Sequence, residues 1–243
     1  MRDLIGWRAW RAFCAGRCRL ALPVLLGVLV AAAGAAVETG PGPAPSVVET
    51  PLMRPRALVL HVHADIRDQG FLPDLIRRLE RTLAPPIFTL PTRFDLGLLR
   101  AQGHPLDAAV LVDNLIRSVD WGHNAGTIQV LLVPDDLRLR PARYNFAASN
   151  GTAASPYHVI VVSLARLQDR GLWSGDDRHP GRTAERVQKL VAKNAAKVAG
   201  YGGSTRCIFS FPRNRDELDA LPEGFCEPDL SALVAAGIAR PLR

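Results

Sequence analysis

Apolar and polar residues follow two different periods along the body of the chain. Alternation and short continuous apolar runs indicate strands, whereas apolar residues three and four positions apart indicate amphipathic helices. Up to residue 134 these patterns predict, in order, a strand, a helix, a strand, a helix and a buried strand, at 56–64, 73–83, 87–90, 105–119 and 127–133.

The second half of the body continues with two strands and the longest helix. Residues 143–148 and 158–164 flank a connection rich in Ser, Asn, Gly and Thr, which predicts a hairpin with a long loop. Residues 182–199 have helical spacing and precede Gly200, a residue type that commonly closes a helix in the left-handed conformation. The predicted order of elements indicates an α/β domain with a mixed sheet.

The first 36 residues have the organisation of an export signal. An arginine-rich start precedes the uncharged segment 20–37, which is rich in Leu, Val and Ala. This order is typical of a secretory signal peptide, but at about 1.5 Å per residue the segment is also long enough to be an uncleaved membrane anchor. Residues 37–56, rich in Pro and Gly, predict a linker to a domain over 57–243. We therefore expect a periplasmic or secreted protein, which is held on the membrane if the segment is not cleaved.

Length and composition are those of a folded domain. The 243 residues are 48% hydrophobic and 22% charged, which excludes a disordered tail, a disulfide miniprotein and a many-span membrane protein. The net charge is +7, but residues 1–36 supply five arginines and one aspartate, so most of the basic excess belongs to the predicted export signal. We therefore expect no nucleic-acid partner.

The common catalytic sequence motifs are absent from the chain. It contains no Gly-x-Ser-x-Gly, no Walker loop and no His-Glu-x-x-His. His61 and His63 share one face of the first predicted strand and could bind a metal with a distant third ligand. Asp135 and Asp136 follow a strand, where adjacent carboxylates are more often a turn and a cap than a catalytic pair.

The four cysteines form two groups. Cys14 and Cys18 lie in the predicted targeting segment, and no second pair near them completes a metal site. Cys207 and Cys226 are the only thiols of the predicted exported part, and two cysteines in an oxidising compartment usually pair. A disulfide and two free buried thiols are both compatible with this pattern.

Several segments of the C-terminal half resemble the archaemetzincin family of zinc metallopeptidases. Residues 130–137 (VLLVPDDL) are similar to its strand that ends in an acidic turn, 144–148 (YNFAA) to its Asn-Phe strand, and 161–167 (VVSLARL) to its Val-Ser-x-x-Arg-Leu segment. Residues 207–226 are similar to its cysteine-bearing tail. The resemblance implies a metzincin (zincin-like) domain with a mixed twisted sheet, two packing helices and a long former active-site helix.

The zinc-binding motif of that family is replaced in this chain. The family carries His-Glu-x-x-His-x-x-Gly-x-x-His, in which the histidines bind zinc and the glutamate is the base. Alignment through Gly200 places Lys193, Asn194, Lys197 and Gly203 at the first histidine, the glutamate, the second histidine and the third histidine. An ammonium repels a divalent cation and an amide takes no proton from water. The resemblance therefore implies no cofactor and a catalytically inactive relative.

The resemblance also bears on the cysteines. The family tail binds a second zinc with further cysteines, whereas this chain has Ser204 and Asp229 at two of those positions. Two thiolates do not complete a four-coordinate zinc site. The resemblance thus implies that a disulfide between Cys207 and Cys226 replaces the metal, and closing such a loop stabilises by roughly 3 kcal/mol in the chain-entropy model.

All three lysines of the chain lie on one face of the longest predicted helix. Lys189, Lys193 and Lys197 are spaced four residues apart. Three interpretations of this face are open. The lysines form a solvated stripe, or they pair with acids such as Asp135 or Asp136. As the resemblance implies, they can also bind an anionic group at the position of the family zinc site.

Three functions are compatible with the sequence. The leading hypothesis is an exported, catalytically inactive pseudopeptidase that binds a peptide or an anionic ligand in the former active-site cleft. The alternatives are an active metal-dependent peptidase or hydrolase with its metal at His61 and His63, and an envelope scaffold protein that binds no ligand.

Overall fold

A computed structural model of the protein describes residues 51–66, 69–92, 94–141, 144–170, 177–202 and 205–241. The predicted targeting segment, with Cys14 and Cys18, and residues 37–50 of the predicted linker lie outside the described residues. No helix within the described ranges is long and apolar enough to span a membrane.

The described residues contain seven strands in two sheets of very different size. They are β1 (Ala57–His63), β2 (Ile87–Thr92), β3 (Leu106–Asp107), β4 (Thr127–Val133), β5 (Leu137–Arg138), β6 (Ala147–Asn150) and β7 (Val159–Ser163). The large sheet has the order β2-β1-β4-β7-β6, in which every pair is parallel except β6 with β7. This arrangement confirms the predicted mixed sheet, and β3 and β5 form a separate parallel pair.

Within the described part of the chain, six helices connect and cover the strands. They are α1 (Leu72–Thr82), α2 (Gly97–Ala101), α3 (Ala108–Ser118), α4 (Pro180–Val198), α5 (Arg215–Ala220) and α6 (Asp229–Ala235), with a short 3-10 helix at Cys207–Phe209. The predicted helix over 105–119 begins later, at Ala108, because the Asp107 carboxylate caps it by accepting from the amides of Ala109 and Val110.

The helices form one layer on each face of the large sheet. Leu60, Val130 and Ile160 belong to a core shared with α1 and α4, whereas Leu131 and Val161 belong to a second core shared with α3. Successive residues of a strand point to opposite faces, so continuous apolar strands such as β4 can fill both cores. The sequence pattern of a buried strand is thereby explained.

The end of α4 is set by Gly200, as predicted. Gly200 has φ +97°, and its amide donates to the Lys197 carbonyl. A Cβ at this position would lie 2.7 Å from the Ala153 Cβ. Both the backbone conformation and the close approach therefore require glycine.

The last residues of the predicted linker are packed on the domain. The Met53 amide donates to the Ala199 carbonyl at 2.9 Å. Leu52 and Met53 also pack against the core that α4 shares. The chain is therefore attached to the end of α4 before β1 begins.

A disulfide joins Cys207 to Cys226, as predicted. The bond encloses a loop that contains the 3-10 helix, Phe211 and α5. Such a bond is compatible with an extracytoplasmic location.

We expect thiol labelling of the unfolded, non-reduced protein to leave Cys207 and Cys226 unmodified, because both sulfur atoms are in the disulfide. Peptide mapping after alkylation measures this directly, and alkylation after reduction is the control in which both residues react. Labelling of both residues without reductant would contradict the bond.

Candidate functional site

A cavity of about 680 Å³ lies beside β6 and the middle of α4. Four segments line it: the approach to β6, the residues after β7, one face of α4, and the loop after the 3-10 helix. Its lining residues are Tyr144, Asn145, Phe146, Ala147, Ala165, Arg166, Gln168, Leu190, Lys193, Asn194, Lys197, Phe211, Pro212, Arg213, Asn214 and Arg215. We call it the lysine cavity, after the two lysines on the α4 face.

Helical spacing explains which α4 residues reach the lysine cavity. Leu190, Lys193, Asn194 and Lys197 are separated by three or four positions and therefore share one face of the helix. Residues on the remaining faces, such as Val191 and Ala195, pack into the core. The structure thus brings together three of the four positions at which the resemblance placed the zinc site, whereas Gly203 lies outside the described residues.

Lys193 is the more buried of the two cavity lysines. Its ammonium donates to the Ser210 carbonyl at 2.6 Å and lies 3.8 Å from the centre of the Phe211 ring. Burial, followed by repulsion from Lys197, lowers the pKa of Lys193 to about 8. The protein therefore holds this charge at a site that disfavours it.

Lys197 lies over the same aromatic ring. Its Nζ is 4.3 Å from the Phe211 ring centre, and burial lowers the pKa of this lysine as well. Phe211 is 74% exposed. The Phe211 ring therefore contacts both ammonium groups, an arrangement that stabilises cations through the ring quadrupole.

Asn194 supplies neither a base nor a free carbonyl. Its Nδ2 donates to the Leu190 carbonyl at 2.8 Å, and its Oδ1 accepts from the Ser149 hydroxyl at 2.9 Å. The amide is therefore held within the helix and against β6, and it cannot accept a proton from water.

Lys189 does not line the lysine cavity. It is 1% exposed, pairs with Glu185 at 2.6 Å and donates to the carbonyls of Leu218 and Asp219 at 3.2 and 3.1 Å. Of the three lysines at helical spacing, this one connects α4 to α5, whereas Lys193 and Lys197 line the cavity.

The arginines that line the lysine cavity are paired with acids outside it. Arg166 binds Asp136 at 2.8 Å and stacks on Tyr144, Arg213 binds Glu217 at 2.9 Å, and Arg215 binds Asp169 at 2.7 Å. Asp135, the other acid considered as a lysine partner, binds Arg100 at 2.8 Å instead.

Lys193 and Lys197 have a different electrostatic environment from these arginines. Among the residues that the structure describes, none that lines the cavity is acidic and no carboxylate pairs with either lysine. The cavity therefore carries two ammonium groups without a neutralising partner in the described part of the chain.

Phe211 and the arginines of the lysine cavity were not predicted as site residues from the sequence. Arg166 lies in the segment 161–167, which carries the resemblance, so the sequence contained a signal that this arginine lies near the site. Phe211, Arg213 and Arg215 follow a disulfide-linked turn, where no periodicity indicates which side chains face the helix. The Phe209 side chain is buried and packs against Tyr201 and Phe225, with ring centres 5.4 and 5.6 Å away.

Zinc, which the resemblance associates with this fold, does not fit the residues present. Lys193, Asn194 and Lys197 include none of the Cys, His, Asp or Glu side chains that bind zinc in proteins, and both thiols of the tail are in a disulfide. Within the described ranges, no group of three His, Cys, Asp or Glu residues is placed to hold a metal.

The two histidines of β1 are engaged by protein groups. The Nδ1 of His63 accepts from the Asp65 amide at 3.1 Å, and its Nε2 lies 2.6 Å from the Phe94 carbonyl. His61 Nε2 lies 2.6 Å from Gln129 Oε1. His63 therefore has no ring nitrogen left for the relocated metal of the alternative hypothesis.

The fold is similar to that of three solved structures, two of archaemetzincins and one of a zinc-dependent peptidase. Archaemetzincin from Methanopyrus kandleri is 19% identical, with a TM-score of 0.57 over 74% of this chain and 95% of that chain. A zinc-dependent peptidase from Methanocorpusculum labreanum is 20% identical, with a TM-score of 0.56 over 74% of this chain and 100% of that chain.

The third structure is archaemetzincin from Archaeoglobus fulgidus in complex with malonate. It is 15% identical, with a TM-score of 0.54 over 72% of this chain and 99% of that chain. No sequence-family model and no curated protein sequence matches the chain. At these identities the likeness shows the fold, and it confirms the archaemetzincin-like architecture predicted from the C-terminal segments.

Proposed function

We propose that this protein is an exported, catalytically inactive pseudopeptidase of archaemetzincin-like fold that binds an anionic group in the lysine cavity. The observation that carries the proposal is the pair Lys193 and Lys197, which lie over one aromatic ring in a cavity without an acidic lining residue among those described.

Electrostatics favours an anion at this place. Desolvation lowers the pKa of both lysines, and the repulsion between them adds to the shift at Lys193. An anion that contacts both ammonium groups removes that repulsion and supplies the missing counter-charge. Binding of an anion therefore offsets part of the free energy that the folded protein loses by burying the two charged lysines.

The same residues argue against peptidase chemistry. Attack on a peptide bond by a zinc-activated water needs a metal and a base, and the aligned positions hold Lys193, Asn194 and Lys197. The Asn194 amide is fixed by Leu190 and Ser149. Export is supported by the Cys207–Cys226 disulfide and by the composition of residues 1–36.

Malonate is a suitable probe for the proposed site, because it is a dicarboxylate and one similar structure was solved with it. We expect the full-length protein to bind malonate saturably at low ionic strength. Glutamine at both Lys193 and Lys197 should weaken binding by at least about tenfold, and added salt should weaken binding to the native protein. Isothermal titration calorimetry measures both effects.

The matched control removes two exposed charges from α1. Arg77→Gln with Arg81→Gln changes the net charge equally at exposed positions, and we expect it to leave malonate binding unchanged. Equal binding by the lysine double variant, or no saturable binding by the native protein, would refute the anion site and favour a scaffold role. Stoichiometric zinc by elemental analysis, with chelator-sensitive peptide cleavage, would refute the inactive assignment.

A further inference from the structure

We infer that the anionic group taken by the lysine cavity is a carboxylate attached to an apolar body. This inference rests on the proposed function and specifies its ligand. Three features of the cavity support it: where the unneutralised charge lies, how many hydrogen-bond donors surround it, and what lines the remaining space.

The unneutralised charge is confined to one place. Arg166, Arg213 and Arg215 lie at the cavity, but each is bound to a carboxylate within 3 Å. Only Lys193 and Lys197 lack such a partner among the described lining residues, and both contact the Phe211 ring. A ligand in the cavity therefore contacts positive charge at one place and not over an extended basic surface. This distribution of charge favours a ligand with one compact anionic group over a polyanion.

The donors available fit a carboxylate better than a phosphate. Lys193 uses one N–H on the Ser210 carbonyl, which leaves two N–H groups on it and three on Lys197. Proteins commonly hold phosphate through the bidentate fork of arginine, and the cavity arginines already direct their guanidinium groups at Asp136, Glu217 and Asp169. Two ammonium groups match a head with two oxygen atoms, one for each lysine.

The rest of the cavity is too large and too apolar for a bare carboxylate. Its volume is about 680 Å³, and its walls include Phe146, Ala147, Leu190 and Pro212 together with the ring of Phe211. Cavities of this size usually enclose most of an organic ligand, with a few polar groups that orient it. An apolar body can lie along these walls while its carboxylate contacts the lysines.

Two sources can supply this chemistry, a small hydrophobic carboxylic acid and the free C-terminus of a peptide with an apolar last residue. The test titrates the full-length protein with acetate, 4-phenylbutyrate, 4-phenylbutyramide and phenylphosphonate. N-acetyl-alanyl-phenylalanine, with a free or an amidated terminus, represents the peptide. We expect 4-phenylbutyrate to bind at least about tenfold more tightly than acetate, and we expect no binding of either amide.

The exposed ring of Phe211 provides a variant that tests the apolar contact without disturbing the core. Phe211→Ala should reduce the advantage of 4-phenylbutyrate over acetate to about threefold or less. Phe88→Ala, which removes a ring that is 55% exposed on β2 and does not line this cavity, should leave that advantage unchanged. A stronger response to the free peptide than to 4-phenylbutyrate assigns the ligand to a chain terminus, and the reverse assigns it to a small acid.

The results separate this inference from the proposed function. If no anion binds in a manner that depends on Lys193 and Lys197, the proposed function itself is wrong. If anions bind through the lysines but acetate equals 4-phenylbutyrate, or phenylphosphonate binds more tightly than 4-phenylbutyrate, only the inference is overturned. Binding of the neutral amide as tightly as the acid also overturns it.

Discussion

Replacing Arg186 by methionine is expected to lower the free energy of unfolding by about 3 kcal/mol. Arg186 is 2% exposed, and its guanidinium binds Asp219 through two hydrogen bonds of 2.6 and 2.7 Å. It also donates to the Leu167 carbonyl at 2.6 Å and to Asp169 at 3.3 Å. Methionine fills much of the volume but leaves these acceptors without their donor.

The loss should depend on pH in a defined direction. Arg186 is the main cause of the lowered pKa of Asp219. A carboxylate with a lowered pKa in the folded state stabilises the fold above its unfolded pKa, and this contribution is lost as the pH falls through the folded pKa. The difference between native and variant protein should therefore be full at pH 7 and shrink below about pH 4.

Urea denaturation at pH 7 and pH 3.5 measures both effects. Arg77→Met is the matched control, because its side chain is 64% exposed and pairs only weakly with Asp74; we expect a change below about 0.5 kcal/mol. A loss of less than 1 kcal/mol for the Arg186 variant would contradict a structural role for this arginine.

Replacing Lys193 by methionine is expected to have the opposite effect and raise the free energy of unfolding at pH 7 by about 2 kcal/mol. The pKa of Lys193 falls from 10.5 to about 8 in the folded protein, and one pKa unit corresponds to about 1.4 kcal/mol. Loss of the hydrogen bond to Ser210 offsets part of this gain.

The pH dependence follows from the same shift. Between pH 8 and 10.5 the unfolded chain binds the Lys193 proton more strongly than the folded protein, so Lys193 contributes a rise of stability with pH across this window. The Lys193→Met variant should lack the part of the rise that Lys193 contributes. Urea denaturation at pH 7, 9 and 10.5 measures the difference.

Lys189→Met is a control on the same helix. Lys189 pairs with Glu185 and two backbone carbonyls, so its replacement should destabilise the protein, whereas replacement of Lys193 should stabilise it. Destabilisation by both variants would show that Lys193 stabilises the fold. It would contradict the view that Lys193 lowers the free energy of unfolding and is retained for ligand binding.

The sequence by itself predicted the elements whose burial extends over many residues. The run 127–133 and the helical spacing of 182–199 identify β4 and α4, because a strand buried on both faces and a long amphipathic helix each leave a sustained pattern. The five-residue α2 and the six-residue α5 were not predicted, since neither is long enough to show a period. Gly200 was identified correctly because its left-handed conformation is a local requirement.

The partners of the charged residues were decided by the tertiary structure. Arg166 and Asp136 are thirty positions apart, and Arg215 and Asp169 are forty-six apart. No local rule selects such pairs among the 30 basic and 23 acidic residues of the chain. From the sequence, Asp135 and Asp136 were candidate partners of the lysines. In the structure Asp135 binds Arg100 and Asp136 binds Arg166.

The lysine stripe shows the same division within one helix. The sequence determined that Lys189, Lys193 and Lys197 share a face of α4, because residues four apart lie nearly above one another. Only the tertiary structure decided that they have different surroundings. The disulfide-linked loop places α5 over Lys189 and the ring of Phe211 over Lys193 and Lys197. Helical spacing determines direction around an axis, whereas burial and counter-charge depend on which distant segment packs there.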